Sequence, residues 1–153
     1  MKRLLLIALL MPLALASAQP VRDKHVEADL LAEPAAIQPG QPFWVALKLA
    51  MDEDWHTYWT NPGDSGLGTK IAWNLPEGFA ASSIVWPYPH RISTPPLMSY
   101  GYEREVLLLT RITPPADLSA TEVTLGAKAS WLMCKEACIP GRAELSVTLP
   151  VRS

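Results

Sequence analysis

Cysteine is scarce in this chain, with two residues in 153. That excludes a disulfide-dense mini-scaffold and, unaided, a four-cysteine zinc site. Charge is sparse as well: Asp, Glu, Lys and Arg make up 18%, against about 25% in an average globular chain. The formal net charge of −2 offers no basic surface for a phosphate backbone, which argues against nucleic acid as a partner. No apolar run reaches the roughly 20 residues of a membrane-spanning helix. Helical patterning is missing too, since no 3.6-residue apolar stripe persists over the roughly eleven residues needed to recognise one. What the chain does have is proline. Its 15 prolines are scattered rather than clustered, which suits turns between short strands and opposes helices, where an interior proline costs about 3 kcal/mol.

The first residues read as an export signal. Lys2-Arg3 is a short basic region, Leu4 to Leu15 is an apolar run broken only by Pro12, and Ala16-Ser17-Ala18 supplies a small-residue cleavage site. Cleavage after Ala18 removes 18 of the 153 residues and leaves 135; losing Lys2 and Arg3 takes the net charge from −2 to −4. The mature chain, residues 19–153, is expected to be one periplasmic domain without a membrane span. Export would place both cysteines where a disulfide persists.

Alternation dominates that chain. Phe43, Val45, Leu47 and Leu49 alternate with more polar or smaller neighbours, as do Ile71, Trp73 and Leu75. The same period runs from Val123 to Met133 and from Leu145 to Leu149, each a strand with one buried face. Glu105 to Ile112 is apolar enough for a central strand covered on both faces. Turn signals separate the runs, among them Gln38-Pro39-Gly40, Asn61-Pro62-Gly63, Pro95-Pro96 and Pro140-Gly141. The pattern predicts an all-β chain of six to nine short strands in a two-sheet antiparallel sandwich. Met51 to Thr69 and Trp86 to Tyr102 read as irregular, with Trp55, Tyr58, Trp59, Trp86, Tyr88, Tyr100 and Tyr102 outside strand alternation. These rings either cap the open ends of the sandwich or form a recognition rim.

Cys134 and Cys138 are separated by Lys135-Glu136-Ala137. Four residues of extended strand span roughly 13 Å, beyond the ~4.4–6.8 Å Cα separation of a disulfide, whereas one tight turn brings them to roughly 6 Å. The incoming strand must therefore curl at Cys134, which sets the pair at the tip between the last two strands. A loop this short returns only about 2 kcal/mol of chain-entropy stabilisation. Three uses stay open on this basis: a redox-active pair, a structural staple, or a metal site. For the last, Met133 and the two cysteines form a soft set suited to Cu(I), with His25, His56 and His90 as possible further ligands, none near the cysteines in sequence. Lys135 favours a neighbouring thiolate and Glu136 opposes it.

Three stretches carry a resemblance. They are Trp55-His56-Thr57-Tyr58-Trp59-Thr60-Asn61-Pro62-Gly63-Asp64-Ser65-Gly66, Ser99-Tyr100-Gly101-Tyr102-Glu103, and Ser130-Trp131-Leu132-Met133-Cys134-Lys135-Glu136-Ala137-Cys138-Ile139-Pro140. In this order the chain resembles the N-terminal periplasmic domain of the DsbD/ScsB family of thiol-disulfide interchange proteins, most closely the ScsB-like branch with C-x3-C. The resemblance implies an immunoglobulin-like sandwich whose cysteines act as a thiol-disulfide oxidoreductase pair. They would pass reducing equivalents from a transmembrane thiol reductase to periplasmic thiol-disulfide proteins, with no organic cofactor. By the same resemblance Cys138 forms the mixed disulfide and Cys134 resolves it. The family's cap over the disulfide is assigned to the Asn61–Gly68 loop, with Asn61, Asp64, Ser65, Tyr100 and Tyr102 as cap or partner surface. Family members usually continue into a membrane domain, whereas this chain stops at Ser153; the expected donor is then a separate protein, or the chain is a truncated member.

Gly63-Asp64-Ser65-Gly66 also matches, over four residues, the nucleophile loop of trypsin-like proteases. A histidine nine residues before the serine in a chain this short cannot build that two-barrel site. The tetrad is read as turn chemistry.

Overall fold

The computed structural model describes residues 19–152, so the expected signal peptide lies outside the described residues. Eleven strands and no helix occur among these residues: β1 (Val21–Asp23), β2 (Val26–Ala32), β3 (Phe43–Met51), β4 (His56–Gly63), β5 (Lys70–Asn74) and β6 (Ala80–Ala81), then β7 (His90–Thr94), β8 (Leu97–Glu103), β9 (Glu105–Thr113), β10 (Glu122–Cys134) and β11 (Cys138–Pro150). One sheet has the order β1-β2-β3-β9-β6. The other has the order β11-β10-β4-β8-β7, with β5 also lying against β10. All pairings between these strands are antiparallel. This is the expected immunoglobulin-like two-sheet sandwich.

Period-2 alternation explains the core. Val26, Ala28 and Leu30 of β2, Val45, Leu47 and Leu49 of β3, and Val106, Leu108 and Ile112 of β9 face Val123, Leu125 and Met133 of β10 and Leu145, Val147 and Leu149 of β11. Each fully buried aliphatic side chain contributes about 1.5–3 kcal/mol relative to exposure, an upper bound because the unfolded chain already buries some surface. The strand β9 departs from its expected burial. Its inner residues are covered, but Leu107 is 39% exposed on the opposite face, beside Leu31, Trp44 and Leu109. A continuous apolar run here marks one covered face, not two.

The two stretches read as irregular contain strands. β4 occupies the first and the β7–β8 hairpin the second, with Thr94 paired to Leu97 across Pro95-Pro96. The β4–β8 register breaks between Tyr58 and Gly63, so Asn61-Pro62-Gly63 is a bulged strand end rather than a loop. The expected strand count was low because β1 and β6 are too short to show a period. The aromatics divide between the two expected roles. Tyr102 lies in the core and Trp55, Trp59 and Trp86 pack partly against it, while Tyr88 is 95% exposed.

Candidate functional site

The β10–β11 ladder runs without interruption from Glu122 opposite Pro150 to Cys134 opposite Cys138. Odd-numbered residues of β10 from Val123 to Met133 belong to the core, so Cys134 begins the opposite, outer face of its sheet. Gly141 is required on this ladder, because a Cβ there would lie 2.3 Å from the Trp131 indole nitrogen. The disulfide closes the last rung, with an S–S distance of 2.04 Å and Cα atoms 4.1 Å apart. The pair is at the tip between the last two strands, as the spacing predicts. Its geometry is nevertheless not one turn of about 6 Å: the two residues face each other directly across the ladder, and Lys135–Ala137 forms the loop.

The two sulfur-bearing residues differ in access. Cys134 is 3% exposed, whereas Cys138 is exposed. Burial of Cys134 comes from strand β4, whose first residue, His56, pairs with it and on the other side with Glu103 of β8. The imidazole of His56 is 3.1 Å (Nε2) from the Tyr58 hydroxyl, and that hydroxyl is 3.8 Å from Cys138 Sγ. His56 and Tyr58 stand two residues apart on a strand and so share a face. Tyr58 is 3% exposed, yet it lies outside the main core cluster, as does Cys134.

What covers Tyr58 is the β4–β5 connection. Gly66 has φ +108°, and a Cβ there would fall 2.2 Å from the Tyr58 ring, so only glycine lets this loop lie on the ring. Gly68 forms an isolated parallel bridge with Tyr58. The loop is tied down at Asp64, whose Oδ2 accepts the Met98 N–H at 2.8 Å and whose own N–H reaches Met98 O at 3.0 Å. The Ser99 hydroxyl donates to the Ser65 carbonyl at 3.2 Å.

Burial sets the protonation of this group. It lowers the His56 pKa, against the opposing charge of Glu103, and raises that of Tyr58, against the neighbouring Ser65 hydroxyl. Both side chains are therefore neutral near pH 7. Around them, Lys135 Nζ pairs with Asp54 Oδ2 at 2.9 Å, which raises the Lys135 pKa and offsets its charge beside the sulfurs. Lys24 Nζ donates to Pro140 O at 2.9 Å.

The fold gathers some of the expected site residues and separates others. Asp64 and Ser65 belong to the loop over Tyr58, and Asn61 is exposed at its start. Tyr102 is no surface residue: it is 3% exposed, its hydroxyl donates to Pro87 O at 2.8 Å, and burial pushes its pKa up to about 12. Tyr100 lines a groove of 710 Å³ with Trp59, Trp86 and Tyr88, away from the disulfide. Met133, 0% exposed, is on the core face opposite Cys134, so the three sulfurs of the alternative Cu(I) reading do not share a face. Among the histidines, His25 stacks on Trp55 and pairs with Asp52, and His90 lines the aromatic groove. His56 alone is brought to the cysteines. In the sequence His56 reads as a possible metal ligand or, nine residues before Ser65, as the histidine of a rejected protease-like match, and Tyr58 as one of the irregular aromatics; the His56-x-Tyr58 spacing, read as a strand, is the signal that pairs them.

A family model described as thiol:disulfide interchange protein DsbD, N-terminal, matches residues 27–150. The chain belongs to the DsbD N-terminal domain family. Among solved structures, the N-terminal periplasmic domain of ScsB from Proteus mirabilis superposes with a TM-score of 0.67 at 18% identity, covering 88% of this chain and 51% of that one. At that identity the likeness speaks for the fold, and this chain spans about half the length of the Proteus protein's chain. The yeast GGA1 GAE domain aligns with a TM-score of 0.41 at 10% identity, over 84% of this chain and 96% of that one. No curated protein sequence matched. This DsbD N-terminal domain is thus a thiol-disulfide interchange domain with a closely spaced cysteine pair.

Proposed function

We propose that the domain is a periplasmic electron carrier, in which Cys134 and Cys138 accept reducing equivalents from a membrane thiol reductase and deliver them to periplasmic disulfide proteins. The observation that carries this reading is the unequal access of the two cysteines. A partner thiolate attacks Cys138 Sγ, the S–S electron pair passes to buried Cys134, and a mixed disulfide forms through Cys138. The partner's second thiol then releases Cys138. Toward a substrate the sequence reverses: reduced Cys138 attacks the substrate disulfide, and Cys134 resolves the intermediate.

The decisive test is trapping. Cys134→Ser is expected to hold a covalent complex with the partner thiol protein through Cys138, seen as a reducible band whose linked peptide contains Cys138. Linkage through Cys134 in Cys138→Ser, with none in Cys134→Ser, reverses the roles. Equilibration with glutathione buffers provides the second measurement. A potential well below about −300 mV with no exchange identifies a structural bridge and refutes the carrier.

A further inference from the structure

We propose that Tyr58 is a catalytic hydrogen-bond donor to the Cys138 sulfur and that His56 is a positioning residue that aims it. This rests on the carrier reading above and extends it to the groups that hold charge at Cys138. A disulfide sulfur carries no hydrogen, so in the 3.8 Å contact the phenol O–H donates and the sulfur accepts. The proposal therefore takes His56 as the Nε2–H tautomer, which donates to the Tyr58 oxygen across the 3.1 Å contact. The chain of donors then points one way, from imidazole to phenol to sulfur. The arrangement is held from both sides, by Gly66 against the ring of Tyr58 and by Cys134 paired with His56.

The step it serves is the arrival of charge on Cys138. When the donor's dithiol reduces the domain, the donor becomes a disulfide and two electrons enter the cysteine pair. Cys134 leaves as a thiolate and takes one of the donor's protons. The donor's second thiolate then attacks the mixed disulfide, its electron pair passes to Cys138 Sγ, and the remaining proton goes to water. Cys138 is left as a thiolate accepting from Tyr58, which keeps its own proton because burial makes the phenolate unfavourable. A hydrogen bond to a charged acceptor is stronger than one to a neutral sulfur. The same contact therefore favours the leaving group in this step and keeps the nucleophile ionised in the next.

Other charged groups lie around the hairpin tip and His56, and the experiment must hold them constant. They are Lys135 and Glu136 in the loop, Asp54 on Lys135, Lys24 at Pro140, and Glu103 opposite His56 with Arg104 beside it. The readout is the pH dependence of iodoacetamide alkylation at Cys138 in the reduced full-length protein, mapped by peptide mass. No partner is involved, so it is independent of trapping. Tyr58→Phe, which keeps the ring beneath Gly66, is expected to raise the midpoint by about one pH unit and slow alkylation at pH 7 about tenfold. His56→Leu should shift the midpoint in the same direction, and His56→Gln, which retains an N–H donor, should restore most of it. An unchanged midpoint in Tyr58→Phe overturns the proposal; an unchanged midpoint in His56→Leu removes His56 from it. Should either variant fail to fold, the wild-type protein supplies the answer. The Tyr58 ring-carbon Cζ resonance should then titrate with the Cys138 midpoint, and an invariant signal overturns the donor role. Shifted midpoints with no partner trapping would refute the carrier and leave the donor chain standing.

Discussion

Gly66 shows how much a single residue carries here. Its φ of +108° and the 2.2 Å approach a Cβ would make to the Tyr58 ring leave no room for any side chain. Gly66→Ala is expected to destabilise the domain by about 1–3 kcal/mol, the range for overpacking combined with left-handed strain. Denaturant melts measure that cost. The same variant should increase the accessibility of Cys134, because the ring and loop that cover the outer face can no longer close together. Unaltered Cys134 protection in a destabilised variant would show that the loop is a structural closure without influence on the thiols. At this scale the sequence announced a glycine in a turn. It did not announce which ring the glycine had to clear.

Among the elements, the β10–β11 hairpin bears on how much the disulfide adds to stability. Thirteen residues on each strand pair in unbroken register up to the cysteines. The hairpin is therefore held by its own ladder and by core burial, and the bond closes a loop already formed. Reduction should leave the fold intact and lower stability by about 2 kcal/mol, the chain-entropy value for so short a ring. Circular dichroism of the reduced protein and its denaturation midpoint test this directly. Unfolding on reduction would instead make the bond a staple. Alternation from Val123 to Met133 made this hairpin legible in sequence, and the three-residue gap between the cysteines placed its tip. β4 was not legible, because its strand bulges through Asn61-Pro62-Gly63 and ends on turn residues.

For the whole molecule, two features at the disulfide end bear on global stability. The β1–β2 turn, on the edge of one sheet, reaches the start of β11 in the other: Asp23 Oδ2 accepts the Arg142 N–H at 2.8 Å, next to the Lys24 contact with Pro140. Asp23→Ala should lower global stability by about 1 kcal/mol in denaturant melts and leave the cysteine chemistry unchanged. The second feature is His56, buried in its neutral form with a depressed pKa. In the unfolded chain it takes up a proton near its ordinary pKa of about 6.5, while the folded protein resists until lower pH. Between those values the unfolded state binds more protons. The contribution of His56 is thus complete above about pH 6.5 and is lost as pH falls toward its lowered folded value. Melts at pH 7.5 and pH 5 should show this loss, and His56→Gln should flatten it relative to the wild type.

Cysteine count, proline scatter and period-2 alternation determined by themselves that this chain is an all-β sandwich with its cysteine pair at a hairpin tip. Those are local properties, written in residues adjacent or two apart. The three family motifs also pointed to the interchange domain. Tertiary structure alone decided the surroundings of the sulfurs. It turned Met133 into the core and away from Cys134, buried Tyr102, and brought His56 and Tyr58 from a segment without visible period to the cysteines some eighty residues later. Such long-range neighbours follow from the pairing of β4 with β10, and alternation within a strand does not say which distant strand it pairs with.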